Sequence, residues 1–200
     1  MRDSVRRTTT KDAILDATDR LLAEYGYKKM TIDDLAREVG IGKGSVYLHF
    51  TSKEEIALAH VDRIVDRLKF RLRDIGSSKV PCDTRLRKML VERVMYRFDS
   101  VQHYTKSINE IFASVRPKLL ERRQRYFEEE ARIIAEVLNE GECAGVFGIS
   151  DAMEKARTLL LATNSLLPYS LSTQELGKRK EIEDKARRLA EVLLEGLLKR

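Results

Sequence analysis

Residues Thr31–Lys53 read TIDDLAREVGIGKGSVYLHFTSK, and this stretch decides the fold of the N-terminal region. Thr31 is a residue type that caps helix starts, and Asp34 follows three residues later, as in a capping box. Gly40 then interrupts the helical pattern with the residue that most easily adopts a positive φ. The stretch therefore predicts two short helices separated by a tight turn, which is the arrangement of a helix-turn-helix motif.

Apolar residues are spaced so that the two short helices share one core. Met30 and Leu35 occupy the two positions of a hydrophobic staple, and Ala36 is small where the helices would cross closely. The expected helices are Ile32–Val39 and about Lys43–Phe50. The side chains expected to fill the shared core are Leu35, Val39, Ile41, Val46 and Phe50.

Helical spacing of apolar residues continues on both sides of this motif, and no segment shows the sustained alternation of a strand. The pattern predicts an all-α chain with a helix-turn-helix domain at residues 1–52 and a second helical domain at residues 53–200. The helices expected are Thr10–Tyr25, Ile32–Val39, Lys43–Phe50, Lys53–Ile75, Thr84–Val101, Thr105–Ser114, Pro117–Asn139, Asp151–Leu167 and Lys180–Lys199. In this scheme Pro117 begins a helix, because proline suits the first helical turn.

The composition is that of an ordinary globular protein, with 42% hydrophobic and 35% charged residues in a chain of 200. No apolar run approaches the roughly 18 residues that a membrane span needs. Residues 1–11 lack the apolar core of a secretory signal. Cys82 and Cys143 lie far apart and form no CxxC pair, which argues against a disulfide scaffold. We therefore expect a protein of the reducing cytoplasm.

The formal net charge is +6, but the excess does not lie in the helix-turn-helix region. Residues 1–55 hold ten Lys and Arg against ten Asp and Glu, and the remaining residues hold 28 against 22. Any argument for nucleic-acid binding must therefore rest on where particular cations lie, not on the overall charge.

The outer face of the second short helix carries residue types that contact DNA. Lys43, Tyr47 and His49 offer donors to phosphate oxygens, and glycine at 42 and 44 lets the backbone approach a duplex closely. Lys43 also begins its helix, where free N–H groups attract phosphate. A plain solvated helix face is the alternative. The residues expected at a DNA interface are Thr31, Gly42, Lys43, Gly44, Ser45, Tyr47, His49 and Lys53.

These residues as a set resemble the DNA-binding domain of the TetR family of bacterial transcriptional regulators. The resemblance rests on the MTIDDLAREVGI run at 30–41, Lys43-Gly44-Ser45, Tyr47-x-His49-Phe50 and Ser52-Lys53-Glu54-Glu55. The turn 141–147 followed by Asp151 also resembles the family's entry into its eighth helix. Gly42 departs from the Ser or Thr found in many members, which removes a capping hydroxyl and a phosphate contact.

The resemblance implies a homodimer that binds palindromic double-stranded operator DNA, most often as a repressor released by a small-molecule effector. Effectors of the family enter the C-terminal helical domain, where His103, Tyr104 and Tyr126 are candidate pocket residues and core packing is the alternative. An activator or constitutive binder of the same fold stays open. So does a helical carrier or enzyme without DNA function.

The last two expected helices carry apolar stripes that suggest the dimer interface, with an intrachain core as the alternative. The interface residues expected are Leu159, Leu166, Ile182, Leu189, Leu193 and Leu197. The helix Lys53–Ile75 contains no proline or glycine, so we expect it to act as a rigid lever and the only covalent link between the domains.

Nothing in the sequence indicates an enzyme, a cofactor or a metal site. GIGKGS at 40–45 resembles a phosphate loop but lacks the GxxxxGK[ST] order and a preceding strand. His49, His60 and His103 share no helical face, and no nucleophile lies in an elbow-like motif.

Overall fold

The computed structural model describes residues 9–101, 108–167 and 173–198, and regular structure there is helical apart from one isolated bridge between Phe147 and Leu198. The all-α prediction is therefore confirmed. The helices are α1 Thr10–Glu24, α2 Ile32–Val39, α3 Lys43–Tyr47, α4 Lys53–Gly76, α5 Cys82–Val101, α6 Ile108–Cys143, α7 Ala152–Asn164, α8 Thr173–Leu176 and α9 Arg179–Glu195. None of the helices in these ranges has the length and apolar character needed to cross a lipid bilayer.

One helix break predicted at Pro117 is wrong. Pro117 lies inside α6, which runs unbroken through the gap expected between Ser114 and Pro117. A proline in a helix removes one backbone hydrogen bond and disfavours the preceding turn. The neighbouring Val115 is buried, so this part of the helix packs inside the protein. The single-turn helix α8 was not expected, because four residues are too few to show a helical period.

The chain divides into two compact units. Unit 1 comprises residues 1–63 and 106–119, and unit 2 comprises residues 64–105 and 120–200. Helices α4 and α6 each contribute residues to both units, so α4 is not the only helix shared between them. The domain boundary expected after residue 52 stays a prediction.

Unit 1 is built around the apolar faces of α1 to α4. Thr9 caps α1 with Asp12 in a reciprocal capping box, and Gly26 follows the helix with a φ of 83°. Arg63 of α4 holds α1, donating to Asp16 Oδ1 at 2.6 Å and to the Leu15 carbonyl at 2.7 Å. Side chains with almost no exposure in this unit include Ile14, Leu22, Met30, Leu35, Val46, Phe50, Ile56 and Leu58.

Unit 2 packs α5, α6, α7 and α9 around a larger apolar core. Its buried members include Leu68, Leu72, Leu86, Met89, Ile134, Leu138, Phe147, Ala156, Leu160, Ala190 and Leu194. The buried Arg93 of α5 pairs with the buried Glu130 of α6 at 2.5 Å and donates to Thr163 Oγ1 of α7 at 2.8 Å. This polar cluster joins three helices in one arrangement, because leaving either charge unpaired in the core would be costly.

Candidate nucleic-acid interface

The start of α2 has the capping box that the sequence predicts. Thr31 Oγ1 accepts a hydrogen bond from the Asp34 backbone N–H at 3.1 Å. The Asp34 carboxylate accepts in return from the Thr31 N–H at 3.1 Å and from its hydroxyl at 2.6 Å. These bonds favour the ionised form, so they hold the pKa of Asp34 below its usual value, with the Thr31 hydroxyl as the largest cause. The first turn of α2 is thereby anchored.

The turn between α2 and α3 depends on one glycine. Gly40 ends α2 with φ at 75° and ψ at 32°, in the left-handed region that other residues adopt only with strain. The next residue, Ile41, donates from its backbone to the Ala36 carbonyl at 2.9 Å, which closes the end of the helix. The turn redirects the chain within three residues, and α3 then begins at Lys43.

A buried core fixes α3 against α2. Leu35, Val46 and Phe50 have 2% exposure or less, as the apolar pattern predicts. Val39 and Ile41, the other two expected core residues, are only partly buried because they flank the turn. Val46 and Phe50 point inward, and the other positions of 43–49 are exposed apart from the partly buried Ser45.

The outward face contains most of the predicted DNA-contacting residues. Lys43, Tyr47 and His49 are exposed, and Ser45 is partly buried. A Cβ built at Gly42 or Gly44 would meet no atom within 4 Å, so neither glycine is required by packing inside the protein. Gly42 precedes α3 without a side-chain cap, as expected from its missing hydroxyl. The helix has only five residues, so the N-terminal dipole expected at Lys43 is small.

Lys43 is paired within the protein. Its Nζ lies 2.8 Å from Asp33 Oδ2 on the first turn of α2, and both side chains are about half exposed. The hydrogen bond to Asp33 is the largest cause that raises the pKa of Lys43. The cation is therefore held at the junction of α2 and α3, in a pair that water can still reach.

Lys53, at the start of α4, also has partners in unit 1. Its Nζ lies 4.4 Å from the centre of the Tyr27 ring and 3.3 Å from the Lys28 carbonyl oxygen, to which it donates. Ser52 Oγ caps α4 by accepting from the Glu55 N–H at 3.1 Å. The exposed Thr31 lies at the start of the neighbouring α2. The ammonium of Lys53 is thus anchored by an aromatic ring and a carbonyl.

Two residues of this surface were missed by the sequence analysis. Leu48, between Tyr47 and His49, is 84% exposed, and Asp33 supplies the carboxylate that pairs with Lys43. The signal for Leu48 was present, because Val46 and Phe50 lie four residues apart on the core face and Leu48 falls between them. The pairing of Asp33 had no sequence signal, since ten residues and a turn separate it from Lys43.

Two of the candidate pocket residues, His103 and Tyr104, lie outside the described residues. Tyr126 is buried on α6, with the Arg125 guanidinium 5.5 Å from the centre of its ring. An effector pocket at these residues stays a prediction. Within the described ranges, no group of three or more His, Cys, Asp and Glu side chains is arranged to hold a metal ion.

The predicted dimer residues lie mainly on faces that pack inside the chain. Leu159, Ile182 and Leu197 are buried, and Leu166, Leu189 and Leu193 are partly buried. The apolar side chains that α7 and α9 present to solvent are different ones. Leu161 of α7 is 62% exposed and Val192 of α9 is 66% exposed, and neither was among the residues expected at the interface.

Comparison with known proteins finds a family match over the residues that form the helix-turn-helix site. The model of the TetR family, described as bacterial regulatory proteins, matches residues 14–60, from α1 to the first turns of α4. The A-factor receptor protein of Streptomyces griseus is 34% identical over 35% of this chain and 25% of its own length. The chain spans about a quarter of the length of several curated relatives that it matches.

Other matches extend further along the chain. The transcriptional repressor KstR2 of Mycobacterium tuberculosis is 28% identical over 67% of both chains. A TetR transcription regulator from Haloarcula marismortui, 22% identical, covers 94% of this chain and 98% of its own with a TM-score of 0.74, which establishes the shared fold. The helix-turn-helix site, the family match and the shared fold agree: residues 14–60 are a domain of the TetR family of bacterial regulatory proteins, and the chain as a whole has the fold of a solved TetR regulator.

Proposed function

We propose that this protein is a repressor that binds a palindromic operator as a homodimer and is released from it by a small apolar or amphipathic effector. The observation that carries the proposal is the outward face of residues 42–49. This face presents a lysine, a tyrosine and a histidine around two glycines with open space, while the opposite face is buried. Such a protein would act in the cytoplasm, where its operator lies.

The side chains on this face have separate roles in the proposed complex. Lys43 and Tyr47 donate to phosphate oxygens or to base edges in the major groove, and His49 donates to phosphate. Gly42 and Gly44 let the backbone approach the duplex. Thr31 and Lys53 supply flanking phosphate contacts, for which Lys53 turns its ammonium from the Tyr27 ring toward the duplex. The names of two bacterial relatives, a helix-turn-helix transcriptional repressor and a helix-turn-helix negative transcriptional regulator, support a DNA-binding role for this face.

We propose that α7 and α9 form the interface of the homodimer. Both helices expose a large apolar side chain to solvent, Leu161 on α7 and Val192 on α9, beside the buried faces that pack in unit 2. A two-fold axis beside these helices would bury both copies of each side chain in a four-helix arrangement. The buried residues of the same helices, such as Leu159 and Leu197, would support that surface from within.

Release by an effector is proposed to act through α4. This helix is unbroken from Lys53 to Gly76 and contributes residues to both compact units. A dimer must hold its two recognition helices about 34–36 Å apart, or a multiple, to enter successive major grooves. An effector that binds better to a form with a different spacing would therefore weaken DNA binding, and DNA would weaken effector binding by the same factor.

The test of this proposal is selection of bound fragments from the genomic DNA of the source organism with the purified full chain. The expected result is enrichment of one palindromic sequence, bound more tightly than a shuffled duplex of the same composition at about 150 mM salt. Gel filtration of the complex should give two chains for each palindrome. Equal affinity for the enriched and the shuffled duplex would contradict the proposal.

A further inference from the structure

We propose that Leu48 reads a thymine in each half of the operator by packing against its 5-methyl group. This inference rests on the proposed DNA-binding function and adds a specificity-determining residue to it. The observation is the large apolar side chain that α3 holds in solvent in the middle of the polar outward face.

The position of Leu48 is rigidly defined by its neighbours. Its backbone N–H donates to the Gly44 carbonyl at 3.1 Å, and Leu48 ends α3 in a helical conformation with φ at −67°. Val46 and Phe50 on either side are buried with 2% exposure or less. The side chain is therefore held outward by an anchored backbone and does not belong to a loose loop.

The exposure of Leu48 makes its side chain available to a partner outside the chain. At 84% it exceeds the exposure of every other large hydrophobic residue in the part of the chain that the structure describes. Its sequence neighbours Tyr47 and His49 are exposed and carry polar tips, so the patch continues the face assigned to DNA. Burying an exposed leucine removes apolar surface from water, and the net gain is largest against another apolar group because a polar partner would lose its hydration.

The major groove offers one such group. Each base pair there presents a pattern of donors and acceptors, and the thymine 5-methyl is the apolar feature of that pattern. The other residues of the outward face, Lys43, Tyr47 and His49, supply polar contacts. Leu48 is then the side chain that distinguishes a thymine from a cytosine, which lacks the 5-methyl group and carries an amino donor at C4 in place of the thymine O4 acceptor.

The test is a double-mutant cycle between protein and DNA. Each thymine of the selected operator is replaced in turn by deoxyuridine, symmetrically in both halves, which removes only the 5-methyl group. Binding is measured for the wild-type chain, for Leu48→Ala and for Leu120→Ala, a control that shortens an exposed leucine on α6. Circular dichroism verifies that each variant is folded.

At one thymine position the wild-type chain should lose about fourfold in affinity per half-site, the equivalent of ~0.8 kcal/mol for one buried methyl. Leu48→Ala should bind the unmodified operator more weakly and should no longer respond to that deoxyuridine, whereas Leu120→Ala should respond as the wild type does. If Leu48→Ala keeps the wild-type response at every thymine, the contact is refuted although the protein still binds its operator. A wild-type chain that selects no operator would instead refute the proposed function together with the contact.

Discussion

Lys43 and Asp33 form an ion pair, with 2.8 Å between the lysine Nζ and the aspartate Oδ2, at the junction of the two helices of the helix-turn-helix. The cation assigned to DNA is therefore already held by a carboxylate in the free protein. In the proposed complex a phosphate must share or replace that partner, and Asp33 itself lies close enough to repel the phosphate. In that complex the pair would weaken DNA binding, while in the free protein it holds the ammonium next to α2.

The first prediction follows from this pair. Asp33→Asn should increase operator affinity by about two- to fivefold, because Lys43 loses its competing partner and one negative charge leaves the interface. Glu38→Gln is the matched control, since it removes the same charge from α2 where Glu38 pairs with Arg20 at 2.8 Å. Fluorescence anisotropy with a labelled operator compares the two. Equal gains in the two variants would mean that only overall charge matters.

The substitution Gly44→Ala tests DNA contact at this position without disturbing the fold. A Cβ at this position would meet no protein atom within 4 Å, and alanine favours a helix over glycine by roughly 0.5–1 kcal/mol. The free energy of unfolding should therefore be unchanged or slightly higher, while operator affinity should fall by about tenfold if the backbone approaches the duplex closely. Urea unfolding and operator titration measure the two quantities. Undiminished operator binding would exclude a close approach at Gly44.

The capping box of α2 predicts a contribution to the free energy of unfolding that depends on pH. Thr31→Ala should lower the free energy of unfolding by about 1 kcal/mol at pH 7, whereas Thr31→Ser keeps the capping hydroxyl and should lose much less. The Thr31 hydrogen bonds lower the pKa of Asp34 below its ordinary value of 3.8. A lowered folded pKa gives a contribution that is present above pH 3.8 and is lost as the pH falls through the folded value.

The difference between wild type and Thr31→Ala should therefore shrink when the urea unfolding is repeated near pH 3. A difference that is the same at both pH values would show that the Asp34 carboxylate takes no part in the cap.

The proposed dimer is tested on its exposed side chains. Leu161→Glu and Val192→Glu should each shift the protein toward monomer in sedimentation at micromolar concentration, because two copies of the new charge would be buried across the axis. Phe70→Glu on α4 is the control, since Phe70 is also an exposed apolar residue. Leu193 is a poorer test site because it packs against the core of its own chain. If both variants remain dimeric, the interface does not include Leu161 and Val192 and must lie on another surface.

The helix-turn-helix was predictable from the sequence because its determinants are local. Thr31 and Asp34 are three residues apart, and Gly40 satisfies a backbone requirement that few other residues can meet. The core positions Leu35, Val46 and Phe50 follow helical spacing within a single short stretch. Because the partners of these residues lie nearby along the chain, the local sequence was enough to predict the helix-turn-helix fold and the outward face of the site.

Features that depend on distant partners were not predictable. The split at Pro117 was wrong because a long helix tolerates one missing hydrogen bond, and neither the local pattern nor the rules for proline reveal that. An apolar stripe on α9 has the same spacing whether it faces its own chain or a second copy. Leu193 is partly buried against its own chain and its neighbour Val192 is exposed, and its place in a dimer interface stays a prediction.

The most direct test of the central claim is the salt dependence of operator affinity for the wild type, Lys43→Ala and Tyr47→Ala. Both variants should keep the wild-type helical content, because both side chains are exposed. We expect each variant to bind the operator about tenfold more weakly. If Lys43 contacts a phosphate, the plot of log affinity against log salt for Lys43→Ala should lose about two units of slope, one for each protomer of the proposed dimer. Unchanged operator affinity in both variants would contradict the assignment of α3 as the recognition helix.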